Sequence, residues 1–460
     1  MSTSTTVLDS GRLRTHFLLR RKISLKFGKI DNSLEHLSSV KNTIENRDVG
    51  IYVHIPYCRS ICMFCPYFRD VLRSEHELEK YFKALLRELE IYGKHLEDKN
   101  LRVVEIHVGG GTPSLVSSKL YKELVSTLAR FFSIKCGVGI EVNPEDFRDY
   151  RYVEELYSVG VDEVSIGVQS FDRRILKSIS RKHTPPEDNA KAIENSIRAG
   201  FKWINVDLMF LTPSIKGYVE LTLDEKLKAF REDLEKSCEL GANQITFYPT
   251  VVPKYSPGYK LAEYGKLSQE LEHIDTFIDE AIEFAENNSL HLVRVYSAST
   301  KRYEYATVNL ELVGPLIGLG AGAWSNTGTY QYINIHSIRE YVSSIGEKNT
   351  LPAIYSRKLK YTSRVWRLFF DQLSAVEISE EPFRLIGLRK IPFKVKLLLK
   401  VLELSGIVTK AGGTYRLTRQ GIKEVYKSVM NYVVEVPVKA TGVFMEICKL
   451  SSYPGKILIK

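Results

Sequence analysis

A cysteine-rich stretch from Ile51 to Tyr67 constrains this sequence more than any other feature. In it, Cys58, Cys62 and Cys65 have the spacing C-x3-C-x2-C and follow an apolar, β-branched run that is typical of a strand. Three thiolates on one loop can bind three irons of a cubane cluster and leave the fourth iron without a protein ligand. An open iron can bind and activate a small molecule, as an open coordination position does in catalytic metal sites generally.

Two other interpretations of the three cysteines are a zinc knuckle and three unrelated buried cysteines. Structural zinc normally has four ligands, with cysteine pairs two to four residues apart on each side. Only His54 lies near enough in the sequence to complete such a set, and it falls inside the strand pattern. We therefore favour the iron–sulfur cluster.

Length and composition indicate a globular protein with more than one domain. The chain has 460 residues, and a domain size of roughly 150 residues predicts two or three units. Hydrophobic residues make up 44% and charged residues 26%, which is ordinary for a soluble enzyme. The sequence shows no apolar run long enough to span a membrane and no signal peptide, so we expect no transmembrane segment. Six cysteines do not make a disulfide framework, which predicts a reducing, cytoplasmic location.

The net charge of +10 is concentrated at the two ends of the chain. Residues 1–30 carry seven Lys and Arg against one Asp, and residues 351–460 carry 20 Lys and Arg against 8 acidic residues. Basic ends can attract nucleic acid, an anionic membrane surface or an acidic substrate, and they can also be a solvated face only. The sequence is therefore compatible with peripheral membrane contact.

From residue 50 onward the sequence alternates between strand and helix patterns. Strands are predicted at residues 50–55, 102–108, 138–143, 162–168, 203–208 and 243–248. Helices are predicted at residues 74–95, 117–132 and 224–240. Six βα units in succession predict an α/β fold with a parallel sheet, curled into a partial (β/α)6 barrel. Active sites of such barrels lie at the carboxyl ends of the strands.

Polar residues and glycines stand where these predicted strands end. Gly109–Gly111 follows the second strand and lets the backbone approach a ligand closely. Glu141 lies in the third strand, Gln169 ends the fourth, and Asp207 lies near the end of the fifth. Each residue alone could be an internally satisfied hydrogen-bond partner, but together at one end of the sheet they indicate a binding site.

A second glycine-rich stretch, residues 312–325, follows the sixth strand pattern. It is apolar and suited to close backbone packing near the mouth of the barrel. Its spacing matches G-x-G-x-x-G only imperfectly and opens no clear helix, so it does not indicate dinucleotide binding.

The composition changes after about residue 350. Residues 393–404 have the pattern of a basic amphipathic helix, 406–417 that of a strand–Gly-Gly–strand hairpin, and 418–433 that of a further helix. This order is typical of a winged-helix module. Because the basicity is general and forms no recognition surface, we expect no nucleic-acid partner and instead a substrate-covering or interface role. We predict three parts: a basic extension (1–45), the barrel with its site (46–345) and a basic winged-helix-like α+β domain (346–460).

Taken together, these motifs resemble the radical S-adenosylmethionine (SAM) enzymes, and most closely the oxygen-independent coproporphyrinogen III oxidase-like family. The resemblance rests on Tyr52-Val-His-Ile-Pro-Tyr-Cys58 with the cysteine spacing, on Gly-Gly-Gly-Thr-Pro, and on Glu-Val-Asn-Pro-Glu. Ile-Gly-Val-Gln-Ser-Phe, Asn-Val-Asp-Leu-Met-Phe and Gly-Leu-Gly-Ala-Gly-Ala agree with it. The resemblance runs from about residue 50 to 345 and implies a radical SAM barrel.

The resemblance also implies cofactors and the residues that bind them. Cys58, Cys62 and Cys65 would ligate a [4Fe–4S] cluster, and SAM would chelate the open iron. The positions that match residues holding this SAM are Tyr52, Gly110 and Glu141. The positions that match residues holding a second SAM in the family's oxidases are Phe64, Gly111, Thr112, Gln169, Arg181, Asp207 and Thr250. The cluster would reduce SAM to a 5′-deoxyadenosyl radical that abstracts hydrogen from the substrate, and no further catalytic residue is implied.

The chain departs from the family's authentic oxidases at one informative position. Those oxidases carry a further cysteine two residues after the third ligand, where this chain has Tyr67, and their N-terminal signature is also missing. The family includes haem chaperones, haem-degrading enzymes, methyltransferases and cyclopropane-forming enzymes. We expect a radical SAM oxidoreductase that acts on a large acidic or tetrapyrrole-like molecule and receives electrons from a low-potential donor such as flavodoxin or ferredoxin. The alternatives are a haem-binding chaperone without turnover, and a methyltransferase or cyclopropane-forming enzyme that uses two SAM molecules.

Overall fold

The computed structural model describes residues 17–19, 27–181, 183–254, 256–302, 314–346, 350–384 and 386–447. The strands are β1 (Gly28–Lys29), β2 (Asp48–Ile55), β3 (Tyr57–Cys58), β4 (Asp70–Val71), β5 (Arg102–Gly110), β6 (Ser133–Ile134), β7 (Val138–Val142), β8 (Val161–Gln169), β9 (Trp203–Phe210), β10 (Ser214–Ile215), β11 (Gln244–Pro249), β12 (Leu267–Ser268), β13 (His291–Arg294), β14 (Ser297–Ser299), β15 (Leu316–Leu319), β16 (Trp324–Asn326), β17 (Tyr330–Asn334), β18 (Ala353–Lys358), β19 (Glu377–Ile378), β20 (Val408–Ala411) and β21 (Thr414–Leu417). The α-helices are α1 (Ser33–Thr43), α2 (Glu75–Leu96), α3 (Ser118–Phe131), α4 (Pro144–Phe147), α5 (Tyr150–Ser158), α6 (Arg173–Ser178), α7 (Pro186–Ala199), α8 (Leu223–Glu239), α9 (Tyr259–Glu263), α10 (Ile274–Asn287), α11 (Ile338–Gly346), α12 (Tyr361–Ser374), α13 (Glu381–Arg384), α14 (Phe393–Leu404) and α15 (Arg419–Ile447).

Six parallel strands form the centre of one large sheet, in the order β2-β5-β7-β8-β9-β11. The β-branched side chains of these strands, such as Val53, Ile140 and Val206, are fully buried, as expected for a sheet whose faces are covered. The observed ends of the six strands differ from the predicted ones by at most two residues. The predicted fold class, an α/β partial barrel with a central parallel sheet, is confirmed.

Helix starts are defined by side chains that satisfy free backbone N–H groups. Ser74 caps α2 by accepting from the Glu77 N–H, and Thr222 and Glu225 form a reciprocal capping box at the start of α8. The helices predicted at 74–95, 117–132 and 224–240 correspond to α2, α3 and α8, and each observed end differs from the predicted one by one residue.

The sheet extends beyond the six strands on both sides, and the sequence patterns did not predict this. Part of the glycine-rich stretch 312–325 forms β15, which pairs with β2 in parallel. A Cβ at Gly318 would lie 2.3 Å from the Trp324 carbonyl oxygen, so the turn into β16 requires glycine there. The sheet continues through β16, β17, β18 and β1 on this side and through β14 and β13 on the other.

The winged-helix-like unit is present near the carboxyl end. Helix α14 has the predicted bounds, and the hairpin β20–β21 turns at Gly412 and Gly413, both of which have positive φ. Strand β19 adds to β21 and completes a three-stranded sheet. Helix α15 is longer than predicted, since it continues to Ile447.

Helix α15 packs directly on the barrel. The Tyr426 hydroxyl donates a hydrogen bond to the Phe247 carbonyl oxygen at 2.8 Å, and Arg419 pairs with Asp279 at 2.7 Å and with Glu283 at 2.6 Å. Strand β18 joins the large sheet although it lies beyond residue 345. The three-part division stays a prediction. Most of the basic residues of the N-terminal extension lie outside the described residues.

Candidate functional site

The candidate site lies at the carboxyl ends of the six parallel strands, which we call the mouth. The cysteine loop, residues 58–70, follows β2, and the glycine run ends β5. Gln169 is the last residue of β8, and Thr250 comes directly after β11. The structure thus brings the predicted site residues to one edge of the sheet, as parallel strand direction requires.

The cysteine loop is closed at its base by a short parallel ladder. Strand β3 pairs with β4, so that Cys58 lies opposite Val71, and the Leu72 N–H donates to the Cys58 carbonyl oxygen at 2.9 Å. The pKa of Cys58 is raised to about 12, chiefly by burial, with a contribution from the neighbouring Cys65 and Cys62 sulfurs. Burial also raises the pKa of Cys65, with Cys62 adding to the effect while Arg69 opposes it. The three cysteines therefore lie close enough on this partly buried loop to influence one another electrostatically.

The tip of the cysteine loop contacts the far side of the mouth. The Met63 carbonyl oxygen accepts from the Gly258 N–H at 2.8 Å, and the Met63 side chain belongs to an apolar cluster with Val252. Phe64 packs against a second apolar cluster that includes Met209, and Tyr248 packs against the same cluster. Because four strands separate β2 from β11 in the sheet, these contacts mean that the loop bridges the mouth.

Contacts within the protein explain the glycine run. A Cβ at Gly109 would lie 2.9 Å from Glu141 Oε1, and one at Gly110 would lie 2.6 Å from the His54 ring. A Cβ at Gly111 would lie 2.5 Å from the Tyr57 carbonyl oxygen. The glycines are thus required by strand and loop packing, and the close backbone approach predicted for a ligand occurs here with the protein's own groups. The roles of Gly110 and Gly111 toward SAM stay predictions.

Glu141 is held from two sides and still faces the mouth. His107 Nε2 lies 3.2 Å from Glu141 Oε1, and the Gly110 N–H donates to Glu141 Oε2 at 3.2 Å. Burial acts to raise the pKa of Glu141, but these hydrogen bonds and the charge of His107 hold it below its usual value. The side chain is 44% exposed, so an ionised carboxylate with free acceptor capacity faces the mouth.

Tyr52 is positioned by two histidines. Its ring stacks on His107 with 5.8 Å between centroids, and its hydroxyl hydrogen-bonds with His54 Nδ1 at 2.9 Å. His54 Nε2 in turn lies 2.9 Å from the Phe68 carbonyl oxygen of the cysteine loop. Tyr52, Gly110 and Glu141, the three positions predicted to hold the cluster-bound SAM, are therefore neighbours in one network.

The positions predicted to hold a second SAM divide among the cysteine loop, the segment that follows β5 and the stretch from β8 to just after β11. The Tyr248 hydroxyl donates to Gln169 Oε1 at 2.8 Å, and Gln169 has a φ of 66°. A left-handed non-glycine residue is strained by about 1–3 kcal/mol, and such strain is concentrated at functional sites. Arg181 donates to the Gly167 carbonyl oxygen at 2.6 Å; burial acts to lower its pKa, but the adjacent Cys62 sulfur raises it above its usual value.

Three further polar groups complete this half of the mouth. Asp207 accepts from Ser165 and from Asn205, both at 2.9 Å, and burial raises its pKa to about 7. The Thr112 hydroxyl hydrogen-bonds the Cys58 sulfur. Thr250 is fully buried, and its hydroxyl oxygen has no hydrogen-bond partner among the residues that the structure describes, which is costly unless a ligand supplies one.

These residues fit an iron–sulfur cluster with an adjacent polar ligand. Three thiols supply the donor set, and the Glu141 carboxylate and Thr250 hydroxyl offer unused hydrogen-bonding capacity. Among the residues that the structure describes, no three His, Cys, Asp or Glu side chains converge on a single ion position. A cubane requires a wider spacing than one ion does, because each cysteine binds a different iron.

Sequence reasoning missed His107, His54 and Tyr248 as positioning residues. Their signal was present, because polar side chains stand at alternate positions near the ends of strands that are otherwise apolar. In a parallel sheet with covered faces, such alternation marks the face that lines the mouth.

Comparison with known proteins agrees with this geometry. The model of the Radical SAM superfamily matches residues 52–221. Oxygen-independent coproporphyrinogen III oxidase of Pseudomonas aeruginosa is 27% identical over 316 residues, which span 65% of this chain and 65% of that protein, just under two thirds. Heme chaperone HemW of Bacillus subtilis is 24% identical over 382 residues, which span 80% of this chain and 95% of that protein.

The fold is also that of a solved structure. Coproporphyrinogen III oxidase (HemN) from Escherichia coli superposes with a TM-score of 0.70 at 20% identity, over 90% of this chain and 97% of that one. At this identity the likeness shows the fold alone. The cysteine loop and the mouth thus lie within or beside the stretch that matches the Radical SAM superfamily, residues 52–221, and the chain is similar to oxygen-independent coproporphyrinogen III oxidase and to heme chaperone HemW.

Proposed function

We propose that this radical SAM protein binds a [4Fe–4S] cluster through Cys58, Cys62 and Cys65 and cleaves SAM reductively to abstract hydrogen from a large acidic or tetrapyrrole-like substrate. The observation that carries the proposal is the position of the cysteine loop. It bridges the mouth, keeps three neighbouring cysteines on one loop, and lies at the same end of the sheet as the available Glu141 carboxylate. When bound, the cluster and SAM would supply one-electron bond cleavage and hydrogen abstraction.

The chain's own residues bind and orient these groups. Glu141 is kept ionised by His107 and the Gly110 N–H, so it can accept from ribose hydroxyls or pair with a cationic group of SAM. Tyr52 is fixed by His54 and His107 and thus offers a rigid hydroxyl and ring at the same place. Met63 and Phe64 pack against the far side of the mouth and exclude water from the loop.

The second set of positions supports binding of one more SAM or of the substrate. Arg181 can pair with a carboxylate, and the Thr250 hydroxyl has bonding capacity that no protein group uses. We infer a low-potential electron donor, such as flavodoxin or ferredoxin, because reductive cleavage of SAM needs one electron. A reducing, cytoplasmic location follows from the sensitivity of such a cluster to oxygen.

The substrate class rests on the relatives. The names of the two curated relatives refer to coproporphyrinogen III and to heme, both of which are tetrapyrroles. The basic ends of the chain would also attract an acidic tetrapyrrole.

A second candidate function is a haem-binding chaperone without turnover. Its support is the alignment with HemW, which covers 95% of that protein, whereas the alignment with the oxidase covers 65%. Tyr67, where the oxidases carry a cysteine, agrees with this candidate. The two candidates share the cluster and differ in whether a product forms.

Anaerobic reconstitution followed by product analysis tests both candidates. We expect an iron–sulfur absorption band and, with reductant, 5′-deoxyadenosine; absence of SAM cleavage by a fully loaded protein would refute the proposal. With coproporphyrinogen III, vinyl groups and carbon dioxide indicate the oxidase. S-adenosylhomocysteine indicates a methyltransferase, and stoichiometric haem binding without product indicates the chaperone.

A further inference from the structure

Helix α14 of the winged-helix-like unit has two apolar faces, of which the described part of the chain covers only one. Val395, Leu399 and Leu402 are fully buried and anchor the helix in the unit. The opposite side chains are exposed, and we call them the apolar stripe: Phe393 at 80%, Leu397 at 57%, Val401 at 37% and Leu404 at 77%. At about 100° per residue, these four positions fall within an arc of roughly 80°. Singly exposed apolar residues are ordinary, but a contiguous stripe along a helix marks an interaction site.

Lysines border the apolar stripe on both sides. With the same helical geometry, Lys394 lies next to Val401 at one edge of the stripe, and Lys396 and Lys400 lie along the other. All three lysines are exposed, and the single acidic residue of the helix, Glu403, is paired with Lys400 at 3.0 Å. An apolar strip between two rows of lysines is the pattern of a helix that lies in a membrane interface, where lysine stems cover apolar surface and the ammonium groups reach the headgroups.

Further cationic groups stand just before the helix. An open depression of about 500 Å³ is lined by Arg384, Gly387, Leu388 and Arg389. Both arginines and the following Lys390 are exposed. None of these three side chains forms an ion pair in the described part of the chain. Two guanidinium groups at one depression match a phosphate group in both charge and hydrogen-bond geometry.

We propose that the apolar stripe and its cationic border dock on an anionic phospholipid surface. A second copy of the chain is a poorer occupant, because a symmetric contact through this face would bring two basic surfaces together. DNA is also a poorer occupant, because its phosphates and base edges call for polar and cationic side chains where this helix presents phenylalanine and leucine. The membrane contact is peripheral, since no helix among the described residues is long and apolar enough to span a bilayer.

Vesicle flotation with the full chain tests this proposal. The probes are vesicles of phosphatidylcholine alone and of phosphatidylcholine with phosphatidylglycerol at roughly three to one, at low and at physiological salt. We expect binding to the anionic vesicles only, weakened by salt. The double variant Leu397→Ser/Leu404→Ser should bind the anionic vesicles with an affinity that is lower by about tenfold or more. The variant Lys396→Gln/Lys400→Gln should bind several-fold less and lose most of the salt dependence.

Matched controls distinguish binding through this face from nonspecific hydrophobic adsorption and from nonspecific charge attraction. Leu34 is 73% exposed on α1, so Leu34→Ser removes an equally exposed leucine elsewhere and should leave flotation unchanged. Lys228→Gln/Lys236→Gln removes two exposed lysines from α8 and should also leave it unchanged. Circular dichroism and thermal melting check that each variant is folded.

Three results would overturn the proposal. The first is no flotation of the unaltered chain with anionic vesicles. The second is equal flotation of the unaltered chain and the Leu397→Ser/Leu404→Ser variant. The third is that the unaltered chain sediments as a dimer and binds no lipid, while the Leu397→Ser/Leu404→Ser variant sediments as a monomer. In that case the apolar stripe would contact a second copy of the chain.

Discussion

Replacing Glu88 with glutamine should remove a pH-dependent weakness from the fold. Glu88 lies on α2, is completely buried and accepts three hydrogen bonds. The donors are the Gly320 N–H at 2.8 Å, Asn334 Nδ2 at 2.7 Å and the Tyr341 hydroxyl at 2.6 Å. Gly320 follows β15, Asn334 ends β17, and Tyr341 is on α11, so one carboxyl group joins four elements beside the mouth.

The size of the effect follows from the pKa of Glu88. Burial raises it from 4.5 to about 7, because the three donors only partly offset the lost hydration. A carboxyl group whose folded-state pKa is raised stabilises the fold fully below its unfolded pKa, and this contribution is lost as the pH rises through the folded pKa. At 1.36 kcal/mol per pKa unit, about 1 kcal/mol is lost by pH 5 and about 3 kcal/mol by pH 8.

Glutamine keeps the shape of this group and cannot ionise. Its carbonyl oxygen can still accept from Gly320 and Tyr341, whereas its amide would meet the donor Asn334 Nδ2, a cost that does not change with pH. Between pH 5 and pH 8, the free energy of unfolding of Glu88→Gln relative to the unaltered chain should therefore rise by about 2 kcal/mol.

Urea unfolding followed by tryptophan fluorescence at both pH values measures this difference. Glu90→Gln on the same helix is the matched control. The hydrogen bond from Arg130 lowers the pKa of Glu90, so the stability due to Glu90 is lost only in acid and should be constant from pH 5 to pH 8. If the difference in unfolding free energy between Glu88→Gln and the unaltered chain is also the same at pH 5 and pH 8, Glu88 does not change from neutral to charged over this range, and the reasoning is refuted.

Four further predictions concern the mouth. Cys62→Ala should abolish the iron–sulfur absorption band and lower bound iron, measured after anaerobic reconstitution. Thr250→Val should weaken SAM binding about fivefold in calorimetry, the value of one hydrogen bond, while the melting temperature stays the same or rises because a buried hydroxyl without a partner is removed. Asp207 is neutral below and charged above its pKa of about 7; affinity for cationic SAM should rise with pH through that value, and Asp207→Asn should flatten the profile. Gly110→Ala should lower the free energy of unfolding by about 2 kcal/mol or more in denaturant titration, because φ is 114° and the added Cβ meets the His54 ring.

The parallel strands could be predicted because their signal is local. Apolar, β-branched runs with helical periods between them are visible in any short window of the sequence, and they place β2 and β9 to within two residues. Strand β15 could not be found in this way. Its four residues are held by pairing with β2, which lies far away in the sequence, and its glycine content argues against a strand when read alone.

Only part of the site could be predicted, because some of its signals are local in the sequence and others are not. The cysteine spacing is local and has few chemical meanings, so the cysteines could be assigned directly. The bond between Tyr248 and Gln169, by contrast, joins residues 79 positions apart. Glu88 was missed because a glutamate on an amphipathic helix normally faces water, and only the approach of Gly320, Asn334 and Tyr341 gives it partners inside the protein.

Tyr67, at the position where the oxidases of the resembled family carry a further cysteine, is an exposed residue of the cysteine loop that lies close enough to Tyr248 at the mouth to act on it electrostatically. The Tyr67 side chain is 46% exposed, while its carbonyl oxygen accepts from Arg69 at 2.7 Å. Arg69 is buried and opposes the rise in pKa that burial imposes on Cys65, so the backbone at residue 67 helps to hold a positive charge beside the sulfurs. Any residue at position 67 can make this backbone contact. The exchange of cysteine for tyrosine therefore alters an exposed side chain of the loop and keeps the backbone contact with Arg69. Cluster binding and SAM cleavage should depend on the buried side of the loop, and the choice of substrate should depend on the side that carries Tyr67.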